Sequence, residues 1–368
     1  MKIRQQFVLL ALEPDANISA LCREHGISRK TAYKWLERFK SRGVQGLEDL
    51  SRRPHNSPLR ASGEMVLQVL ELRGQHPRWG PKKLHKVLSR GDEDAPSVRT
   101  IARILDRAGE ARKRRRVVKG DRPADAPSPD VEDVNDLWTV DFKGWWNSKD
   151  GAKCEPLTVR DAHSRFVLGA ELLDNSSAET VRSAFEGLFD AYGLPRAILV
   201  DNGPPFASTR ARHGITTLSA WWVALGIRVH RSRPGHPQDN GGHERMHLDM
   251  RYEVEDVGAN SRAQQQAKLD AWRQEFNHVR PHEALDMRTP GDMYRRSPRL
   301  HRGTRDARYP SNFVVRKVQS SGRVRYRGQL LKVGSGFRGY QVGIEAIAYD
   351  TVRIHFYELD LGTFDVAA

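Results

Sequence analysis

Charge in this chain is sorted by segment. Residues 1–120 carry 27 Lys and Arg against 13 Asp and Glu, and residues 121–287 carry 19 against 26. Residues 288–338 then carry 14 against 2, and residues 339–368 carry 1 against 5. A single globule with an ordinary solvated surface would scatter its charge, so sorting on this scale implies separate modules, with two basic segments flanking an acidic one. The length agrees: 368 residues correspond to two to four domains at roughly 100–200 residues each. A net charge of +15 points to a polyanionic partner bound in a salt-dependent way. The longest apolar run, Ala220–Ile227, has eight residues, far short of the roughly 18 that a spanning helix needs. The run Phe7–Leu12 is too short for a signal peptide. Two cysteines, Cys22 and Cys154, supply neither a disulfide framework nor a four-thiolate zinc site. The expectation is a soluble protein of a reducing compartment, with no membrane partner.

Residues 18–40 read as two short helices around a tight turn. Ile18, Leu21 and Cys22 form one apolar stripe, His25-Gly26-Ile27 turns the chain, and Ser28 can cap a helix in which Ala32, Trp35, Leu36 and Phe39 repeat at helical spacing. Arg29, Lys30 and Lys34 lie on the other face, which suits a recognition helix in the DNA major groove. A second helical unit follows. Glu64–Arg73 is amphipathic, Pro81–Leu88 opens on a proline, and Ser97 caps Val98–Ala108. Arg99, Arg103 and Arg107 recur every four residues along one face. Such a stripe is often merely solvated; beside a first helix-turn-helix it reads as a second DNA-binding module. Residues 1–50 and 60–110 are thus assigned as two helix-turn-helix modules, and 111–133 as a basic, Pro-rich linker.

From Asn135 the pattern turns to alternating strands and helices. Leu137–Trp146, Pro156–Val159, Phe166–Leu172, Ala197–Val200 and Ile227–His230 read as strands, and Ala178–Tyr192, Leu218–Leu225 and Gly241–Val254 as helices. This is an α/β core, assigned with a helical extension to 134–297. In 310–368, strict alternation in Arg323–Arg327 and Val352–Phe356, punctuated by glycines, predicts a small all-β barrel with the arginines on an exposed face.

Three carboxylates in the core stand where chemistry can use them. Asp141 sits inside the apolar strand Trp138-Thr139-Val140-Asp141-Phe142, where a charge is costly to bury alone. Asp201 ends the strand Ala197–Val200, at the strand end where open α/β sheets bind ligands. Glu244 lies in the first turns of a helix after the loop Pro237–Gly241. Taken singly, Asp201-Asn202-Gly203 also makes a good turn, and Glu244 also complements a helix dipole.

Together, Asp141-Phe142-Lys143-Gly144, Asp201-Asn202-Gly203-Pro204-Pro205-Phe206 and Arg233-Pro234-Gly235-His236-Pro237-Gln238-Asp239-Asn240-Gly241-Gly242-His243-Glu244-Arg245 strongly resemble bacterial insertion-sequence transposases. These have a retroviral-integrase-like, ribonuclease-H-fold core with an Asp-Asp-Glu (DDE) triad. Asn277–Leu285 with Thr289-Pro290 looks like the same family's segment after the core. The resemblance covers about residues 15–300 and, more loosely, the β tail. It departs in two respects. The 42 residues between Asp201 and Glu244 exceed the usual spacing of the wider group, with the excess within Ala207–Thr217. The zinc-binding N-terminal module of retroviral integrases is replaced by helix-turn-helix units.

The resemblance implies a DNA transposase in which Asp141, Asp201 and Glu244 are catalytic and bind two Mg²⁺ (or Mn²⁺) ions, with Asp141 bridging. Two such ions suit in-line displacement at a phosphodiester, and carboxylates suit hard cations. It also implies binding to double-stranded DNA, namely the element's terminal inverted repeats and the target, and action as a dimer or higher oligomer in the bacterial cytoplasm at the nucleoid. Lys143 is assigned to a phosphate contact, although a strand-end lysine is often only solvated. Asn202 and Asn240 either orient the triad or cap local turns. Asp161 reads as a turn acid, and His236 and His243 do not make a soft-metal site. Two rivals are a catalytically silent DNA-binding regulator and a ribonuclease-H-like nuclease.

Overall fold

The computed structural model describes residues 2–49, 61–91, 94–111, 131–208, 212–233 and 240–366. Most of the expected linker and the loop before Asn240, with His236, lie outside the described residues. The chain forms two compact units, Met1–Ser62 and Gly63–Ala368.

The first unit contains α1 (Lys2–Ala11), α2 (Ile18–Glu24) and α3 (Arg29–Arg42). Asn17 and Ser28 cap α2 and α3 by accepting from the backbone N–H groups of Ala20 and Thr31, so the expected turn and cap are present. Phe7, Val8, Cys22, Ala32 and Leu36 close the core, which leaves Arg29, Lys30 and Lys34 exposed on the outer side of α3.

The second unit opens with α4 (Gly63–Gln75), α5 (Pro81–Leu88) and α6 (Val98–Arg107). Ile101, Ile104 and Leu105 are the buried face of α6; Arg99, Arg103 and Arg107 are exposed. A five-stranded sheet follows, built from β1 (Leu137–Phe142), β4 (Pro156–Asp161), β5 (Val167–Leu172), β6 (Ala197–Val200) and β7 (Arg228–Arg231) in the order β5-β4-β1-β6-β7. The pairs β1–β4 and β4–β5 are antiparallel, whereas β6 runs parallel to both β1 and β7. Two short strands, β2 (Trp146–Asn147) and β3 (Lys153–Cys154), form a separate hairpin.

Helices cover both faces of the sheet, which is why its strands read as nearly continuous apolar runs. On one face α7 (Ala178–Tyr192) and α8 (Thr217–Ala224) pack Phe185, Phe189, Trp221 and Trp222 against Trp138, Val140 and Ile198. On the other, α9 (Gly241–Met250), the π-helical turn Arg251–Glu255 and α10 (Arg262–His278) bring Met246, Met250, Leu269, Trp272 and Phe276 against Val167 and Ala170. Each such large apolar side chain contributes about 1.5–3 kcal/mol through burial.

Asn277 and Arg280, from the segment matched to the family's post-core sequence, have clear structural roles. The Asn277 amide bonds both the N–H and the C=O of Val167, at 2.8 and 2.9 Å. The buried Arg280 guanidinium meets Asp249, Glu253 and Glu275, so three carboxylates compensate one desolvated cation. The short α11 (Pro290–Met293) ends the extension.

The tail comprises β8 (Val314–Lys317), β9 (Arg323–Tyr326), β10 (Gln329–Lys332), β11 (Gln341–Ala346), β12 (Thr351–Phe356) and β13 (Leu359–Asp365). Among the described residues its ladders make two separate sheets, β13-β12-β11-β8 and the hairpin β9–β10, in place of one closed ring. The hairpin reverses at Arg327-Gly328, both at positive φ, and its open end is tied by the N–H groups of Val333 and Gly334, which both bond the Gly322 carbonyl. Both sheets share a core with Phe337 and with Ala220 and Ala224 of α8. Arg323 and Arg325 are exposed and alternate with buried Val324 and Tyr326.

One strand ends earlier than its composition suggests. Leu137–Trp146 reads as continuous, but β1 stops at Phe142. Gly144 takes φ +90°, which glycine adopts without steric cost, and turns the chain into the β2–β3 hairpin.

Candidate active site

The parallel pairing of β1 with β6 sets the site. Leu137, Trp138 and Thr139 stand opposite Ala197, Ile198 and Leu199, so both strands deliver their carboxyl ends to one edge of the sheet. Asp141 is the penultimate residue of β1, and Asp201 follows the last residue of β6. Glu244 lies in the first turn of α9, which packs against β1. Burial, and next the negative charge of Asp201, push the Asp141 carboxyl up to about 7. A hydrogen bond from the Phe142 backbone opposes this and Glu244 adds to it. The three acids therefore share one electrostatic environment. Asp201 and Glu244 are exposed, and Asp201 accepts from the Gly203 N–H at 3.2 Å. The Asn202 amide donates to the Ser232 carbonyl at 2.6 Å and so ties the end of β6 to the chain after β7. Asn240 is the N-cap of α9 without a side-chain cap bond; its Oδ1 is buried with no hydrogen-bond partner among the described residues.

Sequence reasoning missed what supports Asp141. Thr158 stands opposite it in the β1–β4 ladder. The Thr158 hydroxyl lies 2.9 Å from the Asp141 carbonyl, 2.9 Å from His243 Nε2 and 2.8 Å from His247 Nε2. The other ring nitrogen of His243 meets Thr139 Oγ1 at 2.8 Å, and His247 Nδ1 lies 3.9 Å from Asp141 Oδ2. Burial, then the neighbouring Lys143 and Arg160, push His247 down to about 3. Burial holds His243 well below its ordinary value. Both imidazoles are thus neutral, hydrogen-bonding supports. Arg160 is itself buried and passes the start of α9 where Gly242 stands; a Cβ there would lie 2.1 Å from Arg160 Nη1. The sequence signal for His247 was its spacing: residues three apart on a helix share a face, so Glu244 and His247 turn to the same side.

Lys143 departs from expectation. Its ammonium is paired with Glu255, lies 4.8 Å from the Trp146 ring centroid, and its side chain is only 7% exposed. A cation so engaged is not presented to a phosphate, and its partner lies too far along the chain for sequence spacing to reveal it. Asp161 accepts from the Asn135 and Ser164 N–H groups and from the Ser164 hydroxyl, as a turn acid should. Arg29, Lys30 and Lys34 on α3 belong to the first unit, and Arg99, Arg103 and Arg107 on α6 to the unit that carries the carboxylates.

Among the described residues, no three His, Cys, Asp or Glu side chains converge closely enough to hold a metal ion. The donor chemistry nevertheless fits a hard divalent cation. All three acids offer oxygen, their mutual repulsion raises one of them, and the buried Asn240 oxygen at the start of Glu244's helix lacks a partner among the described residues.

Among solved structures, the chain is similar to the HTLV-2 integrase catalytic core domain in complex with magnesium. The TM-score is 0.36 and the identity 16%, over 45% of this chain and 99% of that one. It is also similar to a chain of a simian T-cell lymphotropic virus intasome, with a TM-score of 0.38 and 14% identity over 82% of this chain and 99% of that one. Two curated relatives are bacterial. One is the insertion element IS407 uncharacterized 31.7 kDa protein of Burkholderia multivorans, 27% identical over 66% of this chain and 83% of the relative. The other is the insertion element IS476 uncharacterized 39.2 kDa protein of Xanthomonas euvesicatoria, 26% identical over 71% and 73%. Family models match as a helix-turn-helix domain (3–55), a homeodomain-like domain (31–105) and an integrase core domain (132–237 and 225–290). The last match, at 313–368, is the C-terminal domain of IS481 family transposases. By these matches the chain carries helix-turn-helix domains, an integrase core domain and a C-terminal domain of the IS481 transposase type, and is similar to proteins of bacterial insertion elements.

Proposed function

We propose that this chain binds the terminal inverted repeats of an insertion sequence, nicks DNA there, and joins the freed 3′-OH to target DNA. The observation that carries this reading is the electrostatically coupled set of three acids at the carboxyl ends of β1 and β6 and the start of α9. Asp141, Asp201 and Glu244 would hold Mg²⁺ or Mn²⁺, two per site. When bound, the metal supplies charge neutralisation and Lewis-acid polarisation at the anionic phosphodiester. The chain's own residues supply position. Thr158, His243 and His247 fix the end of β1, the Gly203 N–H orients Asp201, and α9 presents Glu244 from its first turn.

Arg29, Lys30 and Lys34 on α3, and Arg99, Arg103 and Arg107 on α6, would contact the repeat as two DNA-binding modules, with Arg323 and Arg325 adding backbone contacts. We assign the domains as 1–50, 60–110, 134–297 and 310–368, with the last as a barrel-like β module. Pairing two element ends requires two active sites, so the acting species is a dimer or larger on DNA.

The test is joining of a labelled, pre-cut element end into plasmid DNA with Mg²⁺. Wild type should yield joined product, and Glu244→Gln should reduce it by about a thousandfold or more. Tight, salt-sensitive binding of the end with no joining by wild type would favour a silent DNA-binding regulator.

A further inference from the structure

All eight tryptophans lie among the described residues, and Trp145 alone among them is exposed, at 63%. It sits in the turn immediately after the strand that carries Asp141, and its backbone is held on both sides. Lys143 N–H bonds the Pro156 carbonyl at 3.2 Å, and Trp146 pairs with Cys154. Trp146 buries its ring beside Met246 and Trp272, and Lys143 is pinned to Glu255. The turn therefore presents an indole on a fixed base. A cation stands near that ring: Lys153 Nζ lies 5.9 Å from its centroid while also pairing with Glu155 at 2.7 Å.

An exposed aromatic face beside a phosphodiester site is the chemistry that binds unstacked nucleobases. Inside a closed duplex both faces of every non-terminal base are covered by neighbours, whereas an unpaired base offers a face to an indole. Four residues of chain limit the Cα separation of Asp141 and Trp145 to about 14 Å, roughly four base-pair rises of about 3.4 Å.

We propose that Trp145 is a stacking platform for an unpaired base within about four nucleotides of the bond being processed, so that the site takes frayed or forked ends in preference to closed duplex. The proposal rests on the DNA-processing reading above. Trp145 binds substrate here and takes no part in the chemical step. The role proposed for Lys143 from sequence thus passes to its neighbour: the lysine locks the turn, and the indole faces the DNA.

The test uses the full chain in EDTA. It compares dissociation constants for a blunt duplex and for a fork of the same sequence with a three-nucleotide unpaired arm. Wild type should favour the fork by about tenfold. Trp145→Ala should erase that ratio while leaving blunt-duplex affinity and melting temperature unchanged, and Trp145→Phe should keep most of it. An undiminished ratio in Trp145→Ala, or equal binding of both probes by wild type, would overturn this proposal alone. Failure of wild type to bind either probe would overturn the DNA-processing reading with it.

Discussion

At the scale of single residues, the site spends stability on charge. Asp141 has its ordinary carboxyl value of 3.8 raised to about 7 by burial and by Asp201. Ionising it in the folded chain therefore costs free energy. That cost is absent below about pH 4, grows through the window from about 4 to about 7, and is fully present above. Asp141→Asn removes it. In EDTA at pH 8 the variant should be about 2 kcal/mol more stable than wild type in urea melts, and at pH 4 the two should coincide. Equal stability at both pH values would show that the three acids do not strain one another. The same substitution should abolish joining, so this residue would be kept for chemistry at the expense of the fold. His243 and His247 sit on the supporting side of this balance: each neutral imidazole bonds the Thr158 hydroxyl, which fixes the end of β1.

At the scale of elements, what was legible in the sequence was whatever local pattern determines. Ser28 and Ser97 each accept a backbone N–H at a helix start, as capping residues should. The strands β4, β5 and β6 and the helix α7 fall close to where apolar runs and helical spacing put them. The misreading at Leu137–Trp146 has a definite cause: two tryptophans keep a strand-like composition past Gly144, whose positive φ ends the strand. The fate of Lys143 was illegible because Glu255 lies 112 residues away in sequence. The separate sheets of the tail were also illegible, since alternation specifies a strand's faces and not its neighbours. On α6 the apolar side is buried and Arg103 is exposed, with no ion-pair partner among the described residues. If α6 contacts phosphate, Arg103→Ala should weaken end binding and lower the slope of log affinity against log salt by about 1. An unchanged slope would remove α6 from the DNA interface.

At the scale of the whole molecule, the second helical module is fastened to the catalytic domain. Lys82 pairs with Glu283 at 3.0 Å, the Arg78 guanidinium lies 3.6 Å from the Tyr252 ring centroid, and the Arg280 hub lies 6.0 Å from that of Trp79. One compact unit therefore carries the α6 arginines, the three acids and the basic tail, so the sorted charge marks segments within one body there and not the separate modules that the sequence suggested. The central claim is that Asp141, Asp201 and Glu244 together make a divalent-metal site. The most direct measurement is Mn²⁺ binding to the full chain, followed by the loss of the free-ion electron paramagnetic resonance signal. Wild type is compared with Asp141→Asn, Asp201→Asn and Glu244→Gln. Wild type should bind saturably, and each variant should bind at least about tenfold more weakly. Binding of equal strength in wild type and all three variants, or none by wild type, would contradict the central claim.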